Sequence, residues 1–275
     1  MPGGRVDSGS RPVNRKPRMD STRTAIRSAV FVHGAGAGGW EWTAWARVFA
    51  AAGLSVAAPD LRAAPAGLAA TTLADYSVQV SQWLEAVPRP RVLAGASLGG
   101  LLAAMNAGAA DALVLVNPMP PRGLPDSPLR PAVVPWGRNA SLAGTRRALP
   151  GADDATALFA FRRWRDESGA VLNQAQSGLA LPRPAVPVLV IVSEADRDVP
   201  PQASLDLAEA WEAPAWPVPG GHVDPLLGRD APALAERTLT WLQNRGQSRI
   251  FQSRAMATGL ENSTLTPVLE PCVRR

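Results

Sequence analysis

Short apolar runs alternate with longer segments of helical character over most of this chain. The runs predict buried strands at residues 28–32, 54–58, 92–93, 111–117, 188–192 and 216–218. The segments after them predict helices at residues 40–50, 73–84, 101–105, 201–212 and 231–244. Because helical connections of this length require parallel pairing, the pattern predicts an α/β fold, with a mostly parallel sheet of about six strands and helices on both faces.

The alternation lapses between residues 119 and 186. Prolines occur there at positions 125, 128, 131 and 135, and one amphipathic segment then covers residues 154–171. We therefore expect a helical cap inserted into a single large domain that spans residues 27–245. Residues 1–26 are rich in Arg, Pro, Gly and Ser and lack periodicity, so we expect a disordered basic extension there, and an unstructured tail at residues 246–275.

Charge is unevenly distributed along the sequence. The net charge is +5, but residues 1–28 carry seven basic and two acidic side chains and residues 246–275 carry four and two, which leaves residues 29–245 at −2. A nucleic-acid partner is not expected, because such proteins need a basic stripe on the folded body. The one cysteine, Cys272, allows no internal disulfide and no cysteine-based metal site.

The chain also lacks the apolar segments that secretion or membrane insertion requires. No run of about 18 apolar residues occurs, and no apolar segment of signal-peptide length follows the basic N-terminus. We therefore expect a cytoplasmic protein with no membrane association. The sequence does not determine its oligomeric state.

Polar residues stand at the ends of the predicted strands. They are His33, Asp60, Ser97, Asn117, Asp196 and His222. The carboxyl ends of parallel strands lie at one edge of the sheet, where α/β proteins bind their ligands. We therefore expect these six residues to meet in a functional site.

Ser97 lies in the most informative motif of the sequence, Gly-Ala-Ser-Leu-Gly at residues 95–99. An apolar strand precedes this pentapeptide and good helix formers follow it, which is the order that a nucleophile elbow requires. Glycines two places on either side let the strand and the helix pass closely while the serine adopts a strained backbone. The motif predicts Ser97 as a catalytic nucleophile.

A serine nucleophile needs a base, and the base needs a group that orients it. His222 follows the last predicted strand after two glycines, and the order Ser, Asp, His along the chain fits a hydrolase of this fold. Asp196 is the expected third member, with Asp198 in the same loop as the alternative. The other histidine, His33, is expected to hold the glycine loop, with direct catalysis as its alternative role.

The glycine loop at residues 33–39, His-Gly-Ala-Gly-Ala-Gly-Gly, has two interpretations. In the first, the backbone N–H groups of Ala35 and Leu98 form an oxyanion hole beside the nucleophile. In the second, the glycines hold a dinucleotide pyrophosphate and Asp60 binds its ribose, as in an oxidoreductase. Bulky tryptophans directly after the glycines, and the confinement of the sole lysine to the N-terminal tail, weigh against the second interpretation.

Taken together, these motifs resemble the α/β-hydrolase family over about residues 28–245. Four segments are similar to the branch that contains plant methylesterases, hydroxynitrile lyases and bacterial carboxylesterases: residues 33–42, 58–61, 95–100 and 118–120. The resemblance implies Ser97, Asp196 and His222 as a catalytic triad, with no metal and no cofactor. The sequence departs from relatives within the family in two ways, since it has no lysine for cyanohydrin cleavage and has Ser97 where a haloalkane dehalogenase needs an aspartate. It also starts at the strand that usually comes third, so we expect the two leading strands to be absent.

The expected partner is a small, largely apolar carboxylic ester or thioester, which is hydrolysed through an acyl-enzyme. An acyl thioesterase of a biosynthetic pathway is an alternative within this class, and a ligand receptor on an idle hydrolase fold is an alternative outside it. Four aromatic residues are candidates for substrate contact, with core packing as their alternative role: Trp40, Phe159, Phe161 and Trp164.

Overall fold

The structure is a computed structural model, and it describes residues 26–124 and 128–258. The strands of the described residues are β1 (Ser28–Val32), β2 (Ser55–Ala57), β3 (Arg91–Ala96), β4 (Ala112–Val116), β5 (Val133–Val134), β6 (Glu167–Ser168), β7 (Val188–Ser193) and β8 (Ala215–Val218). The α-helices are α1 (Thr43–Ala51), α2 (Leu73–Glu85), α3 (Leu98–Met105), α4 (Leu142–Ala148), α5 (Asp154–Phe161), α6 (Gly169–Ser177), α7 (Pro201–Ala210), α8 (Asp224–Leu227) and α9 (Ala231–Thr258). Short 3₁₀ turns span Gly39–Trp42, Leu68–Ala70 and Ala107–Ala109.

Six strands form one sheet in the order β2-β1-β3-β4-β7-β8, and every neighbouring pair is parallel. The predicted α/β architecture is therefore confirmed. The chain moves outward from β1 to β2 and then crosses back to β3 on the other side of β1. The loops that follow β1 and β3 consequently diverge at the carboxyl edge of the sheet, where α/β folds form their binding crevice.

Alternate residues along each strand face two separate apolar layers. Val30, Leu93 and Leu115 belong to the layer that α2, α3 and α7 cover, and all three are fully buried. Phe31 and Val114, one position away in register, face the layer that α1 and α9 cover. Successive side chains of a strand point to opposite faces of the sheet, so a central strand that is buried on both faces is apolar at every position. The continuous apolar runs of the sequence therefore predict these strands.

The expected insertion lies between β4 and β7, but its internal structure differs from the prediction. The single amphipathic segment at residues 154–171 is interrupted, because α5 ends at Phe161 and α6 begins only at Gly169. Between these helices lies β6, which pairs antiparallel with β5 from earlier in the insertion. The side chains of Asp153 and Ser168 cap the two helices. The interruption has a structural reason, because Arg165 and the glutamate that starts β6 both bind the glycine loop instead of continuing a helix.

The last helix continues past Asn244, where the sequence predicted its end, and runs to Thr258. Gly246 lies within it, and a glycine inside a helix costs only about 1 kcal/mol relative to alanine. The tail predicted at residues 246–275 thus falls partly on this helix, while residues 259–275 lie outside the described residues. The extension predicted at residues 1–26 also lies outside them, apart from Ile26, which packs against the core.

No helix of the described residues combines the length and the apolar character that crossing a bilayer requires.

Candidate active site

Ser97 lies at the corner between β3 and α3. Its backbone has φ 52° and ψ −120°, and a positive φ is strained for a residue that has a side chain. A Cβ on Gly95 would lie 2.0 Å from the carbonyl oxygen of Gly99, and a Cβ on Gly99 would lie 2.2 Å from that of Val32. Glycine is therefore required on both sides of the serine, and the resulting turn presents the Ser97 side chain to a cavity.

His222 is paired with a buried carboxylate. Its Nδ1 atom lies 2.7 Å from Oδ2 of Asp196, whose side chain is 1% exposed. The other carboxylate oxygen, Oδ1, accepts the backbone N–H groups of Asp198 at 2.8 Å and Val199 at 3.0 Å. Both oxygens of Asp196 are thus hydrogen-bonded, which fixes the carboxylate against the imidazole. The structure places Asp196, rather than Asp198, in contact with His222.

Ser97 and His222 line the same cavity, but no hydrogen bond joins their side chains in the described residues. Catalytic hydrogen bonds are often long in unliganded sites and tighten when substrate binds. The structure therefore brings the three predicted triad members to one edge of the sheet, with one of the two triad hydrogen bonds formed.

The side chains of Asp224 and Asn117 bind the backbone of the His222 loop and hold it in place. The N–H of Gly221 donates to Oδ2 of Asp224 at 2.6 Å. Asn117, at the end of β4, donates to the carbonyl oxygen of His222 at 2.8 Å and accepts the N–H of Ser193 at 2.7 Å. Asn117 thereby ties together the ends of two strands and the loop that carries the imidazole.

The pKa of His222 is raised above its ordinary value of 6.5. Burial lowers it, but the hydrogen bond that the imidazole donates to Asp196 and the negative charges of Asp196, Asp198 and Glu41 outweigh the burial. A general base must be neutral, so the base form of His222 is lost as the pH falls through a value above 6.5.

Two glutamates bind the glycine loop after β1. The N–H of Gly34 donates to Oε2 of Glu41 at 3.0 Å, and the N–H of Gly36 donates to Oε2 of Glu167 at 2.9 Å. The N–H of Ala35, between them, makes no hydrogen bond to any described residue, and neither does the N–H of Leu98 at the start of α3. The described residues therefore leave both N–H groups predicted for an oxyanion hole without a hydrogen bond, and Ala35 lines the cavity beside Ser97.

His33 is fully buried within this loop. Its Nε2 accepts the N–H of Leu61 at 2.8 Å, and its Nδ1 lies 2.8 Å from the carbonyl oxygen of Gly34. Burial lowers the pKa of His33 to about 4, so the ring is neutral at pH 7. These contacts support the structural role expected for His33.

Asp60 also binds the loop, which bears on the dinucleotide interpretation. Its Oδ1 accepts the N–H of Gly39 at 2.7 Å, and a Cβ on Gly38 would lie 2.7 Å from the same oxygen. Oδ1 of Asp60 is therefore already bound to the glycine loop, whereas the corresponding carboxylate of a dinucleotide enzyme binds a ribose hydroxyl.

A cavity of about 400 Å³ opens beside Ser97 and His222, which lies within the usual range for small-molecule sites. The cap supplies much of its wall. The apolar residues that line the cavity include Met119, Leu124, Trp136, Trp164, Leu172 and Leu226.

The four aromatic candidates for substrate contact occupy different positions. Trp164 lines the cavity, whereas Trp40, Phe159 and Phe161 are not among the lining residues. The Trp40 ring packs edge-on against Trp164 and Phe159, with ring centroids 5.2 Å and 5.9 Å away. Trp40 and Phe159 thus support the cavity wall from behind, together with the guanidinium of Arg163, which lies 3.7 Å from the Phe159 ring centroid.

Within the described residues, one group of side chains has the spacing of metal ligands: Asp196, Asp198 and His222, with ligand atoms within 4.8 Å of one another. However, Asp196 already uses both oxygens in hydrogen bonds, one of them to Nδ1 of His222. Both oxygens of this carboxylate are therefore occupied by hydrogen bonds within the protein.

The sequence analysis did not identify the two glutamates that bind the glycine loop. Glu41 lies between two tryptophans at the start of a helix, so an acidic residue in an otherwise apolar stretch was a signal for it. Glu167 gave no such signal, because its contact with Gly36 spans 131 residues and only the folded chain brings them together.

Glu41 is 3% exposed, and this burial raises its pKa to about 7. The hydrogen bond from Gly34 and the charges of His222 and Arg165 act in the opposite direction, but they do not outweigh the burial. The unfolded chain ionises near pH 4.5, so the folded state loses stability as the pH rises from about 4.5 to 7. The loss amounts to roughly 3 kcal/mol at 1.36 kcal/mol per pKa unit. Glu41→Gln keeps an acceptor for Gly34 without the ionisation.

We expect the free energy of unfolding of Glu41→Gln to rise relative to wild type between pH 5 and pH 8, as measured by urea denaturation at both values. Glu85→Gln, at an exposed position in α2, is the matched control and should show little change in its difference from wild type. An equal difference for Glu41→Gln at both pH values would contradict the raised pKa.

A strained serine at a strand–helix corner, with a paired histidine and aspartate on the same cavity, defines the layout of a nucleophile-elbow α/β protein. A family model described as the alpha/beta hydrolase family matches residues 29–237, and the chain belongs to this family. Among curated proteins, none matches the sequence.

Several solved structures share this fold. A structure from the metagenome-derived lipolytic enzymes LipS and LipT is 23% identical, with 80% of this chain and 95% of that chain covered and a TM-score of 0.60. A methylesterase from Arabidopsis is 17% identical, with coverages of 78% and 100% and a TM-score of 0.62. The thioesterase domain from the curacin biosynthetic pathway is 20% identical, with coverages of 78% and 91% and a TM-score of 0.60.

Proposed function

We propose that this protein is a serine hydrolase that cleaves a carboxylic ester or thioester of a small, largely apolar substrate. The observation that carries the proposal is the buried hydrogen bond between His222 and Asp196 on the same cavity as Ser97. Membership of the alpha/beta hydrolase family and the apolar cavity wall support it. The lipolytic enzymes, methylesterase and thioesterase of similar fold agree with this reaction class.

In the proposed mechanism, Oγ of Ser97 attacks the carbonyl carbon of the substrate while Nε2 of His222 takes the hydroxyl proton. Asp196 holds the imidazole by its Nδ1 and stabilises the positive charge that forms. The backbone N–H groups of Ala35 and Leu98 bind the negative oxygen of the tetrahedral intermediate, where each such donor contributes a few kcal/mol. His222 then returns the proton to the leaving alcohol or thiol, and water hydrolyses the acyl-enzyme by the same steps.

A fluorophosphonate probe tests the nucleophile directly, because it reacts with serines that a base has activated. We expect labelling of one serine, with mass spectrometry of the digest placing the adduct on Ser97. A panel of short esters, thioesters and lactones then identifies the preferred leaving group. Binding of NADH with neither labelling nor turnover would contradict the proposal and favour a dinucleotide enzyme.

A further inference from the structure

Two buried glutamates bind alternate N–H groups of the glycine loop. Glu41 and Glu167 are each 3% exposed, and they accept from Gly34 and Gly36 respectively. The N–H of Ala35 lies between these two in the chain and has no partner in the described residues. A short loop whose first and third N–H groups are fixed in this way has little freedom left to reorient the second.

The cap supplies one of the two glutamates and fixes it firmly. Oε1 of Glu167 accepts the hydroxyl of Tyr76 at 2.8 Å and the N–H of Ser168 at 2.7 Å, which leaves Oε2 for Gly36. Because the carboxylate has three donors within a buried environment, its position is determined by the fold around it.

The cap also binds the carbonyl side of the loop. The N–H of Arg165 donates to the carbonyl oxygen of Gly36 at 2.6 Å, and the Nε of Arg165 donates to that of Ala37 at 2.6 Å. Gly36 has φ 67°, and a Cβ there would lie 2.9 Å from the Arg165 carbonyl oxygen. Gly36 is therefore held through both its N–H and its carbonyl by a segment about 130 residues further along the chain.

We infer that Glu167 is a positioning residue for the oxyanion hole, and that the cap acts on the reaction through it as well as by enclosing substrate. Glu167 holds Gly36, and Gly36 together with the Glu41-bound Gly34 sets the direction of the Ala35 N–H. This inference rests on the proposed function. It assigns Arg165 and Glu167, but not Asp166 between them, to the geometry of a loop that belongs to a different part of the fold.

Oxyanion-hole donors act only when charge develops in the transition state, so a misplaced Ala35 N–H lowers kcat more than it changes KM. The donors favour an oxygen anion over a sulfur anion, because hydrogen bonds to sulfur are weaker. A pair of substrates that differ only in the carbonyl, an ester and its thionoester, therefore reports on the hole. A general loss of folded protein would reduce both rates equally.

The test compares Glu167→Gln with wild type in kcat and KM for a p-nitrophenyl ester and its thionoester. Glutamine replaces one carboxylate oxygen with an NH₂ group, so either Gly36 or the Tyr76 and Ser168 pair loses its acceptor. We expect kcat for the ester to fall about 10- to 100-fold with KM changed by less than about threefold, and the ester-to-thionoester ratio of kcat/KM to fall about tenfold.

Asp166→Asn is the matched control, because this neighbouring carboxylate bonds to Arg138 rather than to the glycine loop. We expect it to keep the wild-type ratio. If Glu167→Gln fails to fold, as judged by circular dichroism and urea denaturation, Glu167→Asp replaces it; its shorter carboxylate should lower the ratio in the same direction. A folded Glu167 variant that keeps the wild-type ester-to-thionoester ratio of kcat/KM, or that loses kcat/KM equally with both substrates, would overturn the inference.

Fluorophosphonate labelling of Ser97 in the wild-type protein separates this outcome from a failure of the proposed function. Without labelling or turnover in the wild type, the proposed function itself is contradicted. With labelling and turnover in the wild type, the ratio in the Glu167 variant decides the inference alone.

Discussion

Replacement of Ser97 with alanine is expected to lower kcat for a short p-nitrophenyl ester by at least about 10³-fold. The substitution removes the atom that forms the acyl-enzyme and leaves the His222–Asp196 pair intact, so only the residual catalysis of the binding site and oxyanion hole is left. Steady-state kinetics with purified protein measure the loss. The fluorophosphonate adduct should disappear in the same variant.

The control for this experiment is Ser81→Ala in α2, because among the described residues the Ser81 hydroxyl bonds only to Glu85 of the same helix. It should retain wild-type kinetics and wild-type labelling. Alanine has a Cβ, as serine does, so the backbone strain at this φ is nearly the same in Ser97→Ala as in the wild type. Both variants should therefore fold. Turnover at the wild-type rate in Ser97→Ala would remove Ser97 from the mechanism.

Substitution of Asp196 with asparagine should have an effect of similar size, about 10³- to 10⁴-fold in kcat. The amide preserves the shape of the side chain, but it presents an NH₂ or a neutral oxygen to Nδ1 of His222. The imidazole then lacks the partner that orients its tautomer and stabilises its protonated form. The variant also loses the two largest influences that raise the pKa of His222, so the acid limb of any residual pH–rate profile should move to lower pH.

Asp198→Asn distinguishes the two acids that the sequence left open. Asp198 lies in the same loop and raises the pKa of His222 by its charge, but His222 hydrogen-bonds to Asp196. We therefore expect a reduction in kcat of less than about tenfold and a small shift of the acid limb to lower pH. A larger loss in Asp198→Asn than in Asp196→Asn would exchange the roles of the two residues.

The parts of the fold that follow from local patterns could be predicted from the sequence. Apolar runs such as residues 188–192 become strands because both of their faces are buried, and helical spacing at residues 73–84 becomes α2 because one face of it packs on the sheet. The serine corner could be predicted as well. Its glycines are required by contacts within one strand–turn–helix unit, so the motif contains its own structural reason.

The cap could be predicted only as an insertion. The segment at residues 154–171 has helical character throughout, yet the chain interrupts it where Arg165 and Glu167 bind the glycine loop. Hydrogen bonds to a distant loop outweigh the local preference for a continuous helix, and no periodicity reveals such a bond.

By itself, the sequence determined the six strands of the main sheet, the helices that alternate with them outside the cap, the strained corner at Ser97 and the chemistry of the residues at the strand ends, because each depends on neighbours within a few turns of chain. The tertiary structure alone decided that His222 bonds to Asp196 and not Asp198, and that Glu167 of the cap holds Gly36. These contacts depend on distances between residues 26 and 131 positions apart, which are fixed only when the packed sheet brings its loops together.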